Sequence, residues 1–240
     1  MCTWLLILHL IYTRRKLITK FLVTHSLLSS LRWYLKESFT KTDEQQRQEF
    51  LQTLRRVKSD PNEAMAKGIQ FENDIFDECN GKYYVFRPVD TLPAIEPNTG
   101  EVLEIVTPYD SIVGDLAKIV KGGIWQHATK KELSVNGHDI LLYGRCDVIK
   151  ADTVYDIKYT SNYELGKYQD SGQHWIYLYC TGLPKFSYLI SDGKEWWRED
   201  YYADGNLENR VKSQIADFLN YLENDQEAKQ LFLTNWESKK

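Results

Sequence analysis

Asp156 and Lys158 stand two apart in the run 153–159, TVYDIKY, which is rich in β-branched and aromatic residues. Side chains alternate along a strand, so this carboxylate and ammonium share one face while Ile157 points to the other. Asp147 lies in the preceding apolar run, across a short turn at Ala151-Asp152. A hairpin there brings Asp147 beside the Asp156 end of its neighbour. Two close carboxylates repel unless a cation sits between them. Such oxygen donors suit Mg²⁺ or Mn²⁺, with the backbone carbonyl of Ile157 as a further ligand. An ammonium one pleat away can stabilise a hydroxide or offset charge on a phosphorane-like transition state. Alone, an Asp-x-Lys triplet is more often an exposed ion pair on a strand edge.

Three neighbours raise the significance of the triplet. Gly144 lies three before Asp147. Gln173 and Tyr177 are spaced i and i+4, hence on one face of a helix. Glu72 closes GIQFE (68–72) on a helix upstream, from which it could reach the same sheet. Gly68, four before Glu72, lacks a side chain and is expected to let that helix face press close.

These residues need elements to hold them. Hydrophobic periodicity predicts helices over 17–36, 43–57 and 62–79, the second capped by Asp43 and the third opened by Pro61 and closed by Asn80-Gly81. A β-rich run at 82–87 and a proline-bearing loop at 90–100 follow. A helix over 110–121 is capped by Asp110 or Ser111. Strands are expected at 125–133, 139–149 and 153–159, then a helix over 168–180 stopped by Gly182. A hairpin at 185–190 and 196–202 turns on Asp192-Gly193. Two helices, 206–223 and 225–236, close the chain. The layout is α+β, a mixed sheet flanked by helices.

Composition narrows the function. The 240 residues are 42% hydrophobic and 27% charged, ordinary for a folded chain and unlike one disordered throughout. The net charge of -4 excludes a histone-like protein, so nucleic-acid binding must come from a local surface. Cys2, Cys79, Cys146 and Cys180 form no CxxC pair, which leaves a zinc ribbon or iron–sulfur cluster unsupported and fits a reducing cytosol. No helicase motif such as GxxxxGK[ST] is present, so any helicase would be a separate chain, and no nucleotide cofactor is expected. The apolar start, 1–12, is shorter than the ~20 residues that span a bilayer. Its basic residues Arg14, Arg15 and Lys16 follow the apolar run instead of preceding it, against the order of a secretory signal. His127 reads as a surface or packing residue. Trp196-Trp197 and Tyr201-Tyr202 read as strand-packing aromatics.

GxxD, then DIK on the next strand, then QxxxY on a helix, with GxxFE upstream, resembles the PD-(D/E)XK nuclease superfamily. The nearer likeness is to its RecB-type and phage-recombination exonuclease branch, over roughly 62–202. The resemblance implies a restriction-endonuclease-like core (αβββαβ) at 61–205, a helical segment at 1–60 and C-terminal helices at 206–240 packed on the core. It implies Mg²⁺ or Mn²⁺ held by Asp147, Asp156, Glu72 and the Ile157 carbonyl. Asp147, Asp156, Lys158, Glu72 and Gln173 would be catalytic, and Lys167, Tyr177 and His174 would face DNA. Cys146 stands where many members have Pro before the Asp. The activity implied is direct hydrolysis of DNA, as an exonuclease in phage or prophage recombination or DNA processing. The alternatives are an endonuclease on the same site and a non-catalytic DNA-binding module with a relict site. DNA is the implied partner, with a recombination protein and a second copy of the chain as further candidates. The implied setting is bacterial or phage-infected cytoplasm, without stable membrane association.

Overall fold

The structure, a computed structural model, describes residues 20–82, 94–95, 102–103 and 107–238. The elements in chain order are β1 (Lys20–Thr24), α1 (His25–Leu35), α2 (Asp43–Leu54), α3 (Glu63–Cys79), β2 (Ala94–Ile95) and β3 (Val102–Leu103). Then come α4 (Pro108–Val120), β4 (Ile124–Val135), β5 (His138–Lys150), β6 (Thr153–Tyr159) and α5 (Gln173–Thr181). β7 (Lys185–Ser191), β8 (Trp196–Tyr202), α6 (Leu207–Asn224) and α7 (Gln226–Asn235) complete the set. The apolar start and most of the 82–87 run lie outside the described residues. No helix among the described residues is long and apolar enough to cross a membrane.

The chain divides into two compact units. One comprises Met1–Lys58, Lys130–Gly144 and Glu208–Lys240. Here β1 pairs in parallel with the first half of β5, from Lys20↔Asp139 to Thr24↔Tyr143. The single helix expected over 17–36 is therefore a strand followed by a helix. Phe21, Leu22 and Val23 form an unbroken apolar run that fits a strand, and Thr24 ends it by accepting the Leu27 N–H as the cap of α1. α2 is capped by Thr42, not Asp43, in a capping box with Gln45. Phe50, Leu51 and Leu54 of α2 are buried, as are Val211, Ile215 and Phe218 of α6 and Phe232 of α7. The Trp236 indole donates to the Leu54 carbonyl at 3.0 Å. Asp225 caps α7 and binds Arg47 and the Tyr221 hydroxyl.

The other unit comprises Ser59–Thr129 and Arg145–Leu207. Its sheet is mixed. The second half of β5 runs antiparallel to β6, β6 parallel to β7, and β7 antiparallel to β8. The order helix, three strands, helix, strand is that of the restriction-endonuclease-like core expected from the sequence, with β8 added beyond it. α3 and α4 cover one face through Phe71, Ile75, Ile112, Val113, Leu116 and Val120, packed on Val148, Tyr155, Ile157 and Leu189. Burying these side chains contributes roughly 1.5–3 kcal/mol each. α4 starts at Pro108 under a Thr107–Asp110 capping box, so Thr107 replaces the expected Asp110 or Ser111 cap. A two-residue ladder, β2 with β3, lies partly within the stretch expected to be loop. α5 begins at Gln173, not 168. Residues 165–170 form turns, and Gly172, with φ of 72°, takes the left-handed conformation that starts the helix.

Candidate active site

The ladder between β5 and β6 is paired at Lys150↔Thr153, Ile149↔Val154 and Val148↔Tyr155. Next along it, Asp147 takes over with its side chain: Oδ2 accepts the Ile157 N–H at 2.9 Å. Ile157 itself faces the core, so its neighbours Asp156 and Lys158 face the opposite side. Asp156 is almost fully buried, at 2% exposure. Its Oδ1 accepts from Gln173 Nε2 at 2.5 Å. Its Oδ2 is buried without a hydrogen bond of good geometry, but the Lys158 ammonium stands 2.5 Å away. Glu72, on α3, accepts a hydrogen bond from the Gln126 side chain.

The charges of these groups act on one another. Burial, then the charges of Asp156 and Glu72, push the Asp147 carboxyl well above the usual carboxylate range; Lys158 and the Ile157 N–H pull part of the way back. Burial and then the Asp156 charge raise Glu72, against Gln126, Lys158 and Arg145. Burial works to lower Lys158, but Asp156 and Asp147 outweigh it and hold the ammonium above its ordinary value. Negative charge is thus in excess. Three carboxylates face one near ammonium, and the donor atoms are the hard oxygens that Mg²⁺ and Mn²⁺ prefer. The buried Asp156 Oδ2 supplies an acceptor for such an ion. In donor chemistry, the oxygens of Asp147, Asp156 and Glu72 are of the kind a divalent cation takes. Among the described residues, no group of three or more His, Cys, Asp or Glu side chains stands placed to hold a metal ion.

The expectations for Tyr177, His174 and Gly68 are corrected. Tyr177 is buried, and its hydroxyl donates to the Arg145 carbonyl at 3.2 Å, fastening α5 to β5 and away from any DNA-facing surface. His174 is fully buried and stacks on Tyr201 with ring centroids 3.9 Å apart, so it neither faces solvent nor reaches a phosphate. Gly68 does not mark a close approach, since a Cβ there would meet nothing within 4 Å. Lys167 is exposed, and its ammonium turns back onto Thr160 Oγ1 at 2.7 Å and onto the Asn162 carbonyl. His127 is exposed.

Two residues near the site escaped the sequence reading. Gln126 holds Glu72 from a left-handed backbone position in β4, φ 51°, and nothing in its neighbours signals that geometry. Arg145 is exposed and its charge lowers Glu72. Its signal was available: it lies two before Asp147, hence on the same strand face. Cys146, between them, is fully buried, and burial pushes its thiol up to about 12, so it is a packing residue and not a nucleophile.

No family model matches the chain, and no curated protein matches it. Among solved structures, it is similar to an alkaline exonuclease (LHK-Exo) from Laribacter hongkongensis at 14% identity, with 87% of this chain and 90% of that one covered and a TM-score of 0.43. It is similar to SSO0001 at 16% identity, over 70% of this chain and 84% of that one, with a TM-score of 0.36. Rai1 from Scheffersomyces stipitis matches at 14% identity over 86% and 62%, with a TM-score of 0.32. These are likenesses of general layout; the chemistry rests on this chain's own residues.

Proposed function

We propose that this chain is a metal-dependent nuclease of the PD-(D/E)XK type that hydrolyses DNA, working as an exonuclease in phage or prophage recombination or DNA processing. The observation that carries the reading is the end of the β5–β6 ladder. There Asp147 is fixed by the Ile157 N–H, and Asp156 is gripped by Lys158 and Gln173. A strand-edge ion pair needs none of this: it would not be buried, flanked by a second and third carboxylate, or fixed by a buried amide. The same intact set speaks against a relict site.

Asp147, Asp156, Glu72 and the Ile157 carbonyl would hold Mg²⁺ or Mn²⁺. The ion, when bound, supplies a more acidic water and charge neutralisation at the scissile phosphate. The chain's own side chains do the rest. Lys158 carries a protonated ammonium at the site, placed to stabilise the attacking oxygen and the charge that builds on the phosphate. Gln173 fixes the plane of the Asp156 carboxylate through Oδ1. The Ile157 N–H holds Asp147 in register. Lys167, on the loop that leaves β6, would meet the DNA backbone by exchanging its contacts to Thr160 and the Asn162 carbonyl for a phosphate. No covalent enzyme intermediate is required.

The test is one digestion series with Mg²⁺ on end-labelled linear DNA and on covalently closed circles. An exonuclease degrades the first and leaves the second intact. Nicking or linearisation of the circle would reassign the site to an endonuclease, and inertness toward both would remove the nuclease reading.

A further inference from the structure

β8 presents Trp197, Glu199 and Tyr201 on one of its faces, because side chains alternate along a strand. Glu199 is 7% exposed. A carboxylate in such a place is costly unless hydrogen bonds satisfy it. Glu199 has three donors from two segments of the chain. The Tyr163 hydroxyl and the Gly166 N–H reach Oε1 at 2.7 and 3.0 Å, and the Tyr201 hydroxyl reaches Oε2 at 2.7 Å. The Tyr163 ring also packs on Trp197, with centroids 4.6 Å apart.

The two oxygens lead to two parts of the site. Oε1 fastens residues 163–166 in the loop that leaves β6 two residues after Lys158 and bears Lys167. Oε2 holds Tyr201, whose ring stacks on His174 at 3.9 Å. His174 Nδ1 lies 3.3 Å from the Tyr188 hydroxyl, which lies 2.7 Å from Ser171 Oγ. Ser171 Oγ accepts the Gln173 N–H at 3.2 Å, and Gln173 grips Asp156. The Tyr188 ring also lies under the Lys158 ammonium, 5.9 Å from its centroid. Every link is a hydrogen bond or a ring contact, so the path from Glu199 to Asp156 is physically continuous.

We infer that Glu199 is a positioning residue for the active site: one carboxylate oxygen sets the Lys167 loop and the other, through Tyr201, His174 and Tyr188, sets Gln173 against Asp156. The inference rests on the nuclease reading for its kinetic consequences, though not for the anchoring itself. It also gives buried His174 a task. A simple structural staple would affect stability alone. A positioning residue splits its effects by arm.

The experiment uses the full chain in four variants, Glu199→Ala, Glu199→Gln, Tyr163→Phe and Tyr201→Phe. Steady-state cleavage of linear DNA with Mg²⁺ is read beside amide hydrogen exchange without metal. Tyr201→Phe should lower kcat about 10-fold with KM within about 2-fold, and Tyr163→Phe should raise KM about 5-fold with kcat nearly unchanged. Glu199→Ala should do both and speed exchange across 161–171 by about 10-fold or more, with β6 unchanged. Glu199→Gln keeps an acceptor for the loop and can donate to the Tyr201 oxygen, so it should recover most of both constants. Wild-type kinetics in Glu199→Ala, or a Gln variant no better than Ala, would overturn the positioning role. If Glu199→Ala does not fold, the two Phe variants carry the same split and the same refutation. If wild-type protein cleaves no DNA, the nuclease reading falls, and unchanged exchange in Glu199→Ala would separately refute the anchoring.

Discussion

The Asp156 carboxylate and the Lys158 ammonium, two residues apart on β6, meet at 2.5 Å, with the carboxylate buried and the lysine side chain partly exposed. The pairing follows from strand alternation, and under the proposed nuclease reading it keeps a positive charge beside the carboxylates to meet a phosphate. Lys158→Ala should therefore lower kcat by about 10²-fold or more with a smaller effect on KM. Single-turnover cleavage at saturating DNA checks this. A change confined to KM would make Lys158 a DNA-binding residue instead.

Asp147 illustrates a conflict between stability and use. Its carboxyl is raised by burial and by two neighbouring carboxylates, so near neutral pH its ionised form is less favourable in the folded state than in the unfolded one. An Asn there still offers an oxygen to the Ile157 N–H without the charge. In chelator, Asp147→Asn should melt above wild type, while losing metal-supported cleavage. Thermal melts with and without EDTA decide it; a lower melting temperature for the variant in EDTA would mean the hydrogen bond outweighs the repulsion.

Glu72, on α3, is held by Gln126, and the proposed reading makes it a metal ligand. Glu72→Gln keeps the shape and removes a charge that Asp156 opposes. Cleavage should fall at low Mg²⁺ and recover in part at high Mg²⁺ or with Mn²⁺. Titration of activity against metal concentration reads this directly, and identical metal dependence in both proteins would place Glu72 outside the metal's reach.

Away from the site, Asp225 caps α7 through the Ala228 N–H and binds Arg47 and Tyr221. Burial opposes its charge, but these partners win and its folded value is lowered. A depressed carboxylate contributes stability that is present above the unfolded value of about 3.9 and is lost as pH falls through the folded value. Asp225→Ala should cost about 1–2 kcal/mol near neutral pH, and its deficit against wild type should shrink in acid. Urea melts at pH 7 and near pH 3 measure both.

The sequence shows the core of the site because its geometry is local. Asp147, Asp156 and Lys158 sit on two strands joined by a tight turn, so alternation and the turn place them without knowledge of the rest. The helix 62–79 and the hairpin at 185–202 were legible for the same reason. β1 was not, since its strand form comes from pairing with β5, far away in the chain, while its apolar run continues the helical stripe of Leu28 and Leu31. The caps of α2 and α4 were misplaced because Thr42 stands next to Asp43 and Thr107 stands three before Asp110, acidic residues that look like better caps. Gln126, Glu199 and buried His174 depend on long-range packing, which no local spacing encodes.

The central claim is that Asp147 and Asp156 jointly hold the metal that cleaves DNA. It is tested most directly by mixing wild type, Asp147→Ala and Asp156→Ala with end-labelled linear DNA, in Mg²⁺ and in EDTA, while DNA binding is followed by fluorescence anisotropy. The account predicts cleavage by wild type in Mg²⁺ alone, none by either variant, and DNA affinity largely kept in both. Cleavage that persists in EDTA, or in Asp156→Ala with Mg²⁺, would contradict it.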